Sequence, residues 1–361
     1  MNSKTNSVWA RRNLLTRLYL LLASFSASLF FVAQVPVDSN PSARLPMLMN
    51  GSASRPYVCR LLLPKLLAIL NWATPSRLQT WATEVSQSNP ALHSLFDAFK
   101  YDPRFAWGYF LYFILMVASL FGACALLVEI SRECFPTLPG LGFLASTISL
   151  ALTYPLIHYF MYAYDPFSPV FFLVGLYLMC REQWGLYLCF FGLSLVHKET
   201  MMLLALLYFI HFGLRKGALL RPEFLGKFGL QLGLYLCVTR LISSHYANNA
   251  RDGQYYLPEN WEHLLKPSFS LAEALGLSLF FAAVFHRWSE KPALLRDVLP
   301  LGISLFALWL PFGYSAVYDD RIHFEFRIFL EVLFPITLLA SQTVYSLAQE
   351  LVEVVRHGEA G

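Results

Sequence analysis

WGLYLCFFGLSLVHKETMMLLALLYFIHFGL, residues 184 to 214, is largely apolar, and its only residues charged at neutral pH are Lys198 and Glu199, side by side in its middle. Insertion scales put the cost of either residue, left unpaired at the centre of a membrane-spanning helix, at about 2.5–3.5 kcal/mol. As a single helix the stretch would run roughly 46 Å, against a hydrocarbon core of about 30 Å. It would also send Arg215, Lys216, Arg221 and Lys227 to the outer face, against the usual placement of basic residues. Two short helices, about 184–197 and 200–214, joined by a polar turn at His197-Lys198-Glu199, meet both objections.

Composition supports the membrane reading. Of 361 residues, 57% are hydrophobic and 14% charged, where a soluble domain carries about 25% charged. Apolar runs of spanning length recur along the chain, so the fold class expected is an all-α polytopic helical membrane protein, residues 1–361 forming one transmembrane domain. About ten spans are expected: 16–37, 106–129, 139–160, 168–181, 184–197, 200–214, 226–244, 269–286, 297–314 and 327–348. With the N-terminus inside, 14 of the 27 Lys and Arg fall on the inner side, and seven more lie in the first outer loop. That loop, residues 38–105, is long enough to escape the charge bias. The expected location is a multi-pass cell inner membrane with both termini cytoplasmic. The N-terminal apolar run, nearly 20 residues long behind Lys4, Arg11, Arg12 and Arg17, reads as an uncleaved span in preference to a signal peptide. The net charge of +4, with no basic cluster interleaved with aromatics outside the spans, gives no reason to expect a nucleic-acid partner. Six cysteines without CxxC or Cys/His metal spacing predict no disulfide framework.

The two halves of the opening stretch are each near 21 Å long, about 9 Å short of the core. Their joint is therefore expected below the outer surface, where bare backbone needs cover from protein or a water-filled cavity. Residues 168–181 form a third short span, entered through Tyr164-Asp165-Pro166-Phe167-Ser168-Pro169. Arg240 stands at a comparable height on the seventh span. Short helices ending together describe a funnel open to the outer face. In the first outer loop, RPYVCRLLLPKLLAIL (Arg55 to Leu70) reads as an interfacial helix from which Arg60 and Lys65 snorkel.

Four constellations carry chemistry, and each has a plain structural account beside it. In HKET, Glu199 could complement the macrodipole of the following helix, or act as a base or metal ligand beside a phosphate-pairing Lys198, with His197 lining the site. In YDPFSP, Asp165 before Pro166 is a helix start as well as a candidate acid, and the word Tyr-Asp-Pro recurs at 101–103. In DDRIHFEFRIFLE, helical spacing would pair Arg321 with Glu325 and Arg327 with Glu331, yet Arg327 and Glu331 enter a span. Asp320, Glu325 and Glu331 are candidate substrate-lining groups. Arg55, Arg60 and Arg240 either meet phospholipid headgroups or bind the phosphate of a lipid-linked ligand. No Walker loop, GxSxG, HExxH or dinucleotide fingerprint occurs.

Taken in order, RPYVCRLLLPKLL after a first span, YDP opening a short span, HKET between two short spans and FRIFLEVLFP opening the last one form a series. The series resembles a broad group of poorly characterised bacterial inner-membrane proteins, in which the third word often reads Asn-Arg-Glu-Thr. That group is similar in layout to the GT-C class of glycosyltransferases, which use polyprenyl-phosphate-linked sugars at the outer face. The resemblance implies sugar transfer from a lipid-linked sugar donor by a carboxylate base (Glu199, Asp165 or Asp38). Arg55, Arg60, Lys198, Arg240 or Arg327 would stabilise the departing phosphate. The GT-C class usually carries an acidic pair near the end of the first span, sometimes with a divalent metal. Here Asp38 stands alone, Asp97 and Asp102 lie at the far end of the loop, and no residue set is assigned to a metal. The alternatives are a transporter or flippase of lipid-linked saccharides and a non-enzymatic envelope-assembly protein. No evident repeat halves of the transporter kind occur.

Overall fold

In hydrocarbon a helix satisfies every backbone N–H and C=O within its own segment, and helices make up most of this chain. The structure is a computed structural model and describes residues 3–35, 37–38, 40–157, 161–251, 255–265, 271–312, 315–318, 321–324 and 326–358. The first helices are α1 (Ser3–Gln34), α2 (Leu45–Asn50), α3 (Leu62–Ala73), α4 (Ser76–Ser88) and α5 (Pro90–Phe99). Next come α6 (Ala106–Cys134), α7 (Leu141–Ile157), α8 (Ser168–Cys180), α9 (Trp184–His197), α10 (Leu203–Tyr208) and α11 (Pro222–His245). The last are α12 (Leu257–Leu265), α13 (Leu271–Phe285), α14 (Ala293–Arg296), α15 (Leu299–Phe312) and α16 (Leu330–Gly358).

Five segments are long and apolar enough to cross a membrane: Leu14–Gln34, Pro103–Cys134, Pro222–His245, Ala293–Phe312 and Arg327–His357. Among the shorter apolar helices are Leu141–Ile157, Asp165–Cys180 and Trp184–His197. Large apolar side chains stay exposed on α1 (Leu18, Leu22, Leu29), α11 (Leu230, Leu236, Leu241) and α15 (Ile303, Leu308). Such faces call for hydrocarbon, and the chain is built as a membrane-embedded helical protein. All six cysteines are free.

The centre of the molecule is α16, which is largely buried against α7, α8 and α13, while α6 packs on α1, α7 and α8. Close approach of α6 and α7 depends on Gly142, where a Cβ would stand 2.7 Å from the Val128 Cα. Small residues at such crossings let helices pack without a hydrophobic drive between them.

The joint expected at HKET is present. Lys198 has extended backbone (φ −160°, ψ 135°), and the chain resumes as a 3-10 turn over Glu199–Met202 before α10. Beyond α10 the helix widens into a π turn over Phe209–Arg215.

Two expectations are corrected. Arg60 does not ride on an interfacial helix: α3 begins at Leu62, after a 3-10 turn over Tyr57–Cys59. The Leu61 N–H donates to the Val196 carbonyl (3.0 Å), which fastens this stretch to the end of α9 and turns Arg60 inward, where it is buried. Lys65 is exposed, as are Leu66, Ile69 and Trp72 along one edge of α3. Arg321 is not helical either: Arg321–Phe324 pairs antiparallel with Ser315–Tyr318 in a short hairpin, the one sheet among the described residues. Asp320 and Glu325 lie outside the described residues.

Candidate functional site: a buried, charge-balanced cluster

Asp165 sits in the 3-10 turn that opens α8, with prolines at 166 and 169 suited to a helix start. Its backbone N–H donates to the Tyr162 carbonyl (3.0 Å), and its Oδ2 accepts the Tyr162 N–H (2.9 Å). This reciprocal bracket, analogous to a capping box, fixes the carboxylate inside the protein, where it is fully buried. The same word at 101–103 does something else. There Asp102 Oδ1 accepts the Arg104 N–H (3.0 Å), and the carboxylate pairs with the exposed Arg104 side chain (2.7 Å).

A carboxylate buried at Asp165 needs cations, and two distant segments deliver them. Arg327, in the turn before α16, donates from Nη1 to Asp165 Oδ2 at 3.0 Å. Lys198 Nζ lies 3.5 Å from Asp165 Oδ1 and 2.7 Å from Glu331 Oε1, on the first turn of α16. Glu331 Oε1 also accepts the Thr200 hydroxyl at 2.8 Å. Arg327 and Glu331, expected to pair with one another, instead face Asp165 and Lys198.

Arg60 and Glu199 complete the cluster in a two-pronged pair: Nη2 to Oε1 at 2.7 Å and Nε to Oε2 at 3.3 Å. Such a fork fixes orientation as well as charge. Arg60 Nη1 also donates to the Tyr164 hydroxyl. Both arginines lie on aromatic faces, Arg60 4.4 Å above the Tyr164 ring and Arg327 3.9 Å above the Tyr162 ring. Among the described residues, three cations thus face three carboxylates. Exposure divides them: Asp165, Glu331 and Lys198 are 0–2% exposed, Arg60 and Arg327 about a tenth, and the Glu199 side chain 40%.

His197 is fully buried, stacked on Phe171 with ring centroids 4.4 Å apart, its Nε2 3.4 Å from the Ser168 hydroxyl. Two buried atoms of the cluster, His197 Nδ1 and Glu331 Oε2, have no hydrogen-bond partner among the described residues.

The remaining candidates stand apart. Asp38 is buried, accepting the Leu45 N–H at 2.6 Å and the Tyr109 hydroxyl, so it fastens the segment after α1 to α2 and α6. Burial pushes its carboxyl above the ordinary value, against the lowering effect of those two hydrogen bonds. Arg55 donates to the Asn249 carbonyl at 3.2 Å, tying the first outer loop to the segment after α11. Arg240 is exposed on α11. For a divalent metal the donors do not fit: among the described residues no three His, Cys, Asp or Glu gather, and the cluster carboxylates are taken by cations.

Sequence reasoning missed Tyr162, Tyr164 and Thr200 within the cluster. It also missed a second ion-paired group, in which the buried Asp297, just after α14, meets two residues of the π turn: the buried His211 at Nδ1 (2.8 Å) and the exposed Arg215 at Nε (2.8 Å). The i,i+4 spacing of His211 and Arg215 was a legible signal, but their partner lies 82 residues beyond Arg215.

Compared with protein-family models, curated proteins and solved structures, the chain matches none.

Proposed function

We propose that this chain is an inner-membrane glycosyltransferase of ten helical spans, with both termini cytoplasmic. It would transfer a sugar from a polyprenyl-phosphate donor to an acceptor hydroxyl at the outer face. The observation that carries the reading is the asymmetry of the cluster: five charged side chains are a tenth exposed or less, while that of Glu199 is 40% exposed. A carboxylate reachable by an acceptor, backed by cations held in fixed positions, is what transfer from a phosphate leaving group requires.

Glu199 would accept the acceptor's proton as that oxygen bonds to the anomeric carbon. The carbon–oxygen bond to phosphate breaks, its electron pair staying on the polyprenyl phosphate, and Arg60 stabilises the added charge. The proton then leaves Glu199 for water. Asp165 and Glu331 hold Arg327 and Lys198 and would act as positioning residues.

The test is transfer of radiolabelled sugar from a polyprenyl-phosphate donor in proteoliposomes. Glu199→Gln should lower kcat at least a hundredfold, while Asp165→Asn should weaken both transfer and folding. If both variants transfer sugar like the parent, the assignment is wrong.

A second reading, translocation of lipid-linked saccharides, draws on the Asp297–His211–Arg215 group. Glu199 and Arg215 bound one broken segment with an ion-paired cluster at each end, an arrangement suited to alternate opening. Translocation of a fluorescent prenyl phosphate in the same vesicles without sugar transfer would favour it. Neither activity would leave an assembly role.

A further inference from the structure

Glu199 is the most exposed member of the cluster, its side chain 40% exposed where the other five charged side chains are a tenth exposed or less. An anion arriving from the open side meets Glu199 before it meets any cation. Arg60 cannot offer both prongs to a phosphate while Glu199 holds them at 2.7 and 3.3 Å. Arg60 does not need Glu199 to keep its place, however. Its guanidinium lies 4.4 Å above the Tyr164 ring and bonds the Tyr164 hydroxyl, and the neighbouring Leu61 N–H is tied to Val196. Glu199, by contrast, sits on a 3-10 turn with two-fifths of its side chain in the open, so it can swing away.

Charge decides what can replace it. Among the described residues the cluster is neutral with Glu199 in place: Arg60, Lys198 and Arg327 against Asp165, Glu199 and Glu331. With Glu199 withdrawn, one positive charge is left over, fixed at Arg60 behind low-dielectric walls where imbalance is costly. A ligand of one negative charge restores neutrality, and a dianion overshoots it.

We propose that Arg60 is a self-blocked oxyanion receptor whose resident competitor is Glu199, and that its ligand is a singly charged phosphodiester, which displaces Glu199 as it binds. This deepens the glycosyltransferase reading and rests on it for the identity of the diester as a prenyl phosphoryl sugar. In that setting the exchange frees the base only when the donor is seated. The phosphomonoester left after transfer carries a second charge, so Glu199 can reclaim Arg60 and expel it.

The exchange is tested by binding alone. The probe is radiolabelled geranyl methyl phosphate, a one-charge prenyl phosphodiester, added to full-length protein in zwitterionic nanodiscs at pH 8. Geranyl phosphate serves as the dianion and geraniol as the neutral control. Removing the competitor should tighten binding, so Glu199→Gln should bind the diester at least tenfold more tightly than the parent and gain less for the monoester. Adding Arg60→Lys to Glu199→Gln should abolish the gain, because a lysine offers no fork. Thermal melting shows that each variant is folded, and Glu199→Ala replaces the glutamine variant if that one is not. Equal or weaker diester binding by the folded Glu199 variant overturns the proposal, as does a gain that survives Arg60→Lys or extends to geraniol. The two readings fail separately. A tenfold gain in a protein that transfers no sugar leaves the receptor and removes the enzyme; transfer without the gain does the reverse.

Discussion

Among single residues, Asp38 shows how a carboxylate can satisfy a sequence criterion for catalysis and yet be placed for another task. It lies where the GT-C class carries acidic residues, but the Leu45 N–H and the Tyr109 hydroxyl engage its two oxygens. Burial raises its folded pKa above the unfolded one. Between those two values the folded state binds more protons, so its contribution to stability is whole below the ordinary carboxylate value of about 3.9 and is lost as pH rises through the folded value. Asp38→Asn keeps an acceptor for Leu45 and cannot ionise. Thermal midpoints in detergent should therefore fall more steeply with rising pH, from about 4 upward, in the parent than in Asp38→Asn. Parallel curves would show that Asp38 is not stressed by its burial.

Lys198 poses the opposite case, a buried cation shared by two carboxylates at 2.7 and 3.5 Å. Truncating it to Met leaves Asp165 and Glu331 short of one positive charge inside the protein. Removing one partner of a buried pair typically costs about 3–5 kcal/mol. Lys198→Met should lose that much in denaturant unfolding from mixed micelles, and far less when combined with Glu331→Gln. The sequence made Lys198 conspicuous by its apolar surroundings. It could not reveal the partner, because Glu331 lies 133 residues away and local spacing offered Arg327 instead.

At the scale of elements, legibility followed the range of the forces. Helices came through at the expected places because apolar run length and backbone satisfaction are local properties. The break at Lys198 came through because bilayer thickness limits a helix's length whatever it packs against. The irregular parts did not: the π turn at Phe209–Arg215 and the inward turn of Arg60 answer to partners far along the chain, and the strand at Arg321–Phe324 pairs across a hairpin where charge spacing offered a helix. Helix crossings belong to the same class. Gly142 reads as an ordinary glycine in an apolar run, yet a methyl group there would meet the Val128 Cα at 2.7 Å and the Ser131 Cβ at 2.9 Å. Since backbone cannot step aside like a side-chain tip, Gly142→Ala should cost about 1–3 kcal/mol, the usual penalty of overpacking. Gly192, which has nothing within 4 Å of its Cβ position, is the control, and Gly192→Ala should melt at or above the parent. A similar loss for both would mean that the effect does not arise at the α6–α7 crossing, since helix propensity favours alanine at either position.

Across the whole molecule, one cluster joins four stretches of chain: the outer loop at Arg60, the entrance to α8 at Asp165, the α9–α10 joint at Lys198 and Glu199, and the start of α16 at Arg327 and Glu331. A site assembled this way faces outward only if α9 and the segment from Glu199 to Arg215 pass through the bilayer in opposite directions. The break at Lys198 permits that, and the basic residues that follow favour it, since Arg215, Lys216, Arg221 and Lys227 then reach the cytoplasm. The alternative, a single crossing from Trp184 to Leu214, puts the loop before α11 on the outer side, along with the loop that carries Arg60. Position 220 separates the two, because Leu220 is 90% exposed in that loop. In a cysteine-free background, Arg77→Cys marks the exposed first outer loop and Leu220→Cys the loop in question. In right-side-out vesicles, a membrane-impermeant maleimide should label position 77 at once and position 220 only after permeabilisation. Labelling of both from outside would mean a single crossing. The HKET joint would then lie mid-bilayer, and an outward-opening Glu199 would have no outer mouth to face.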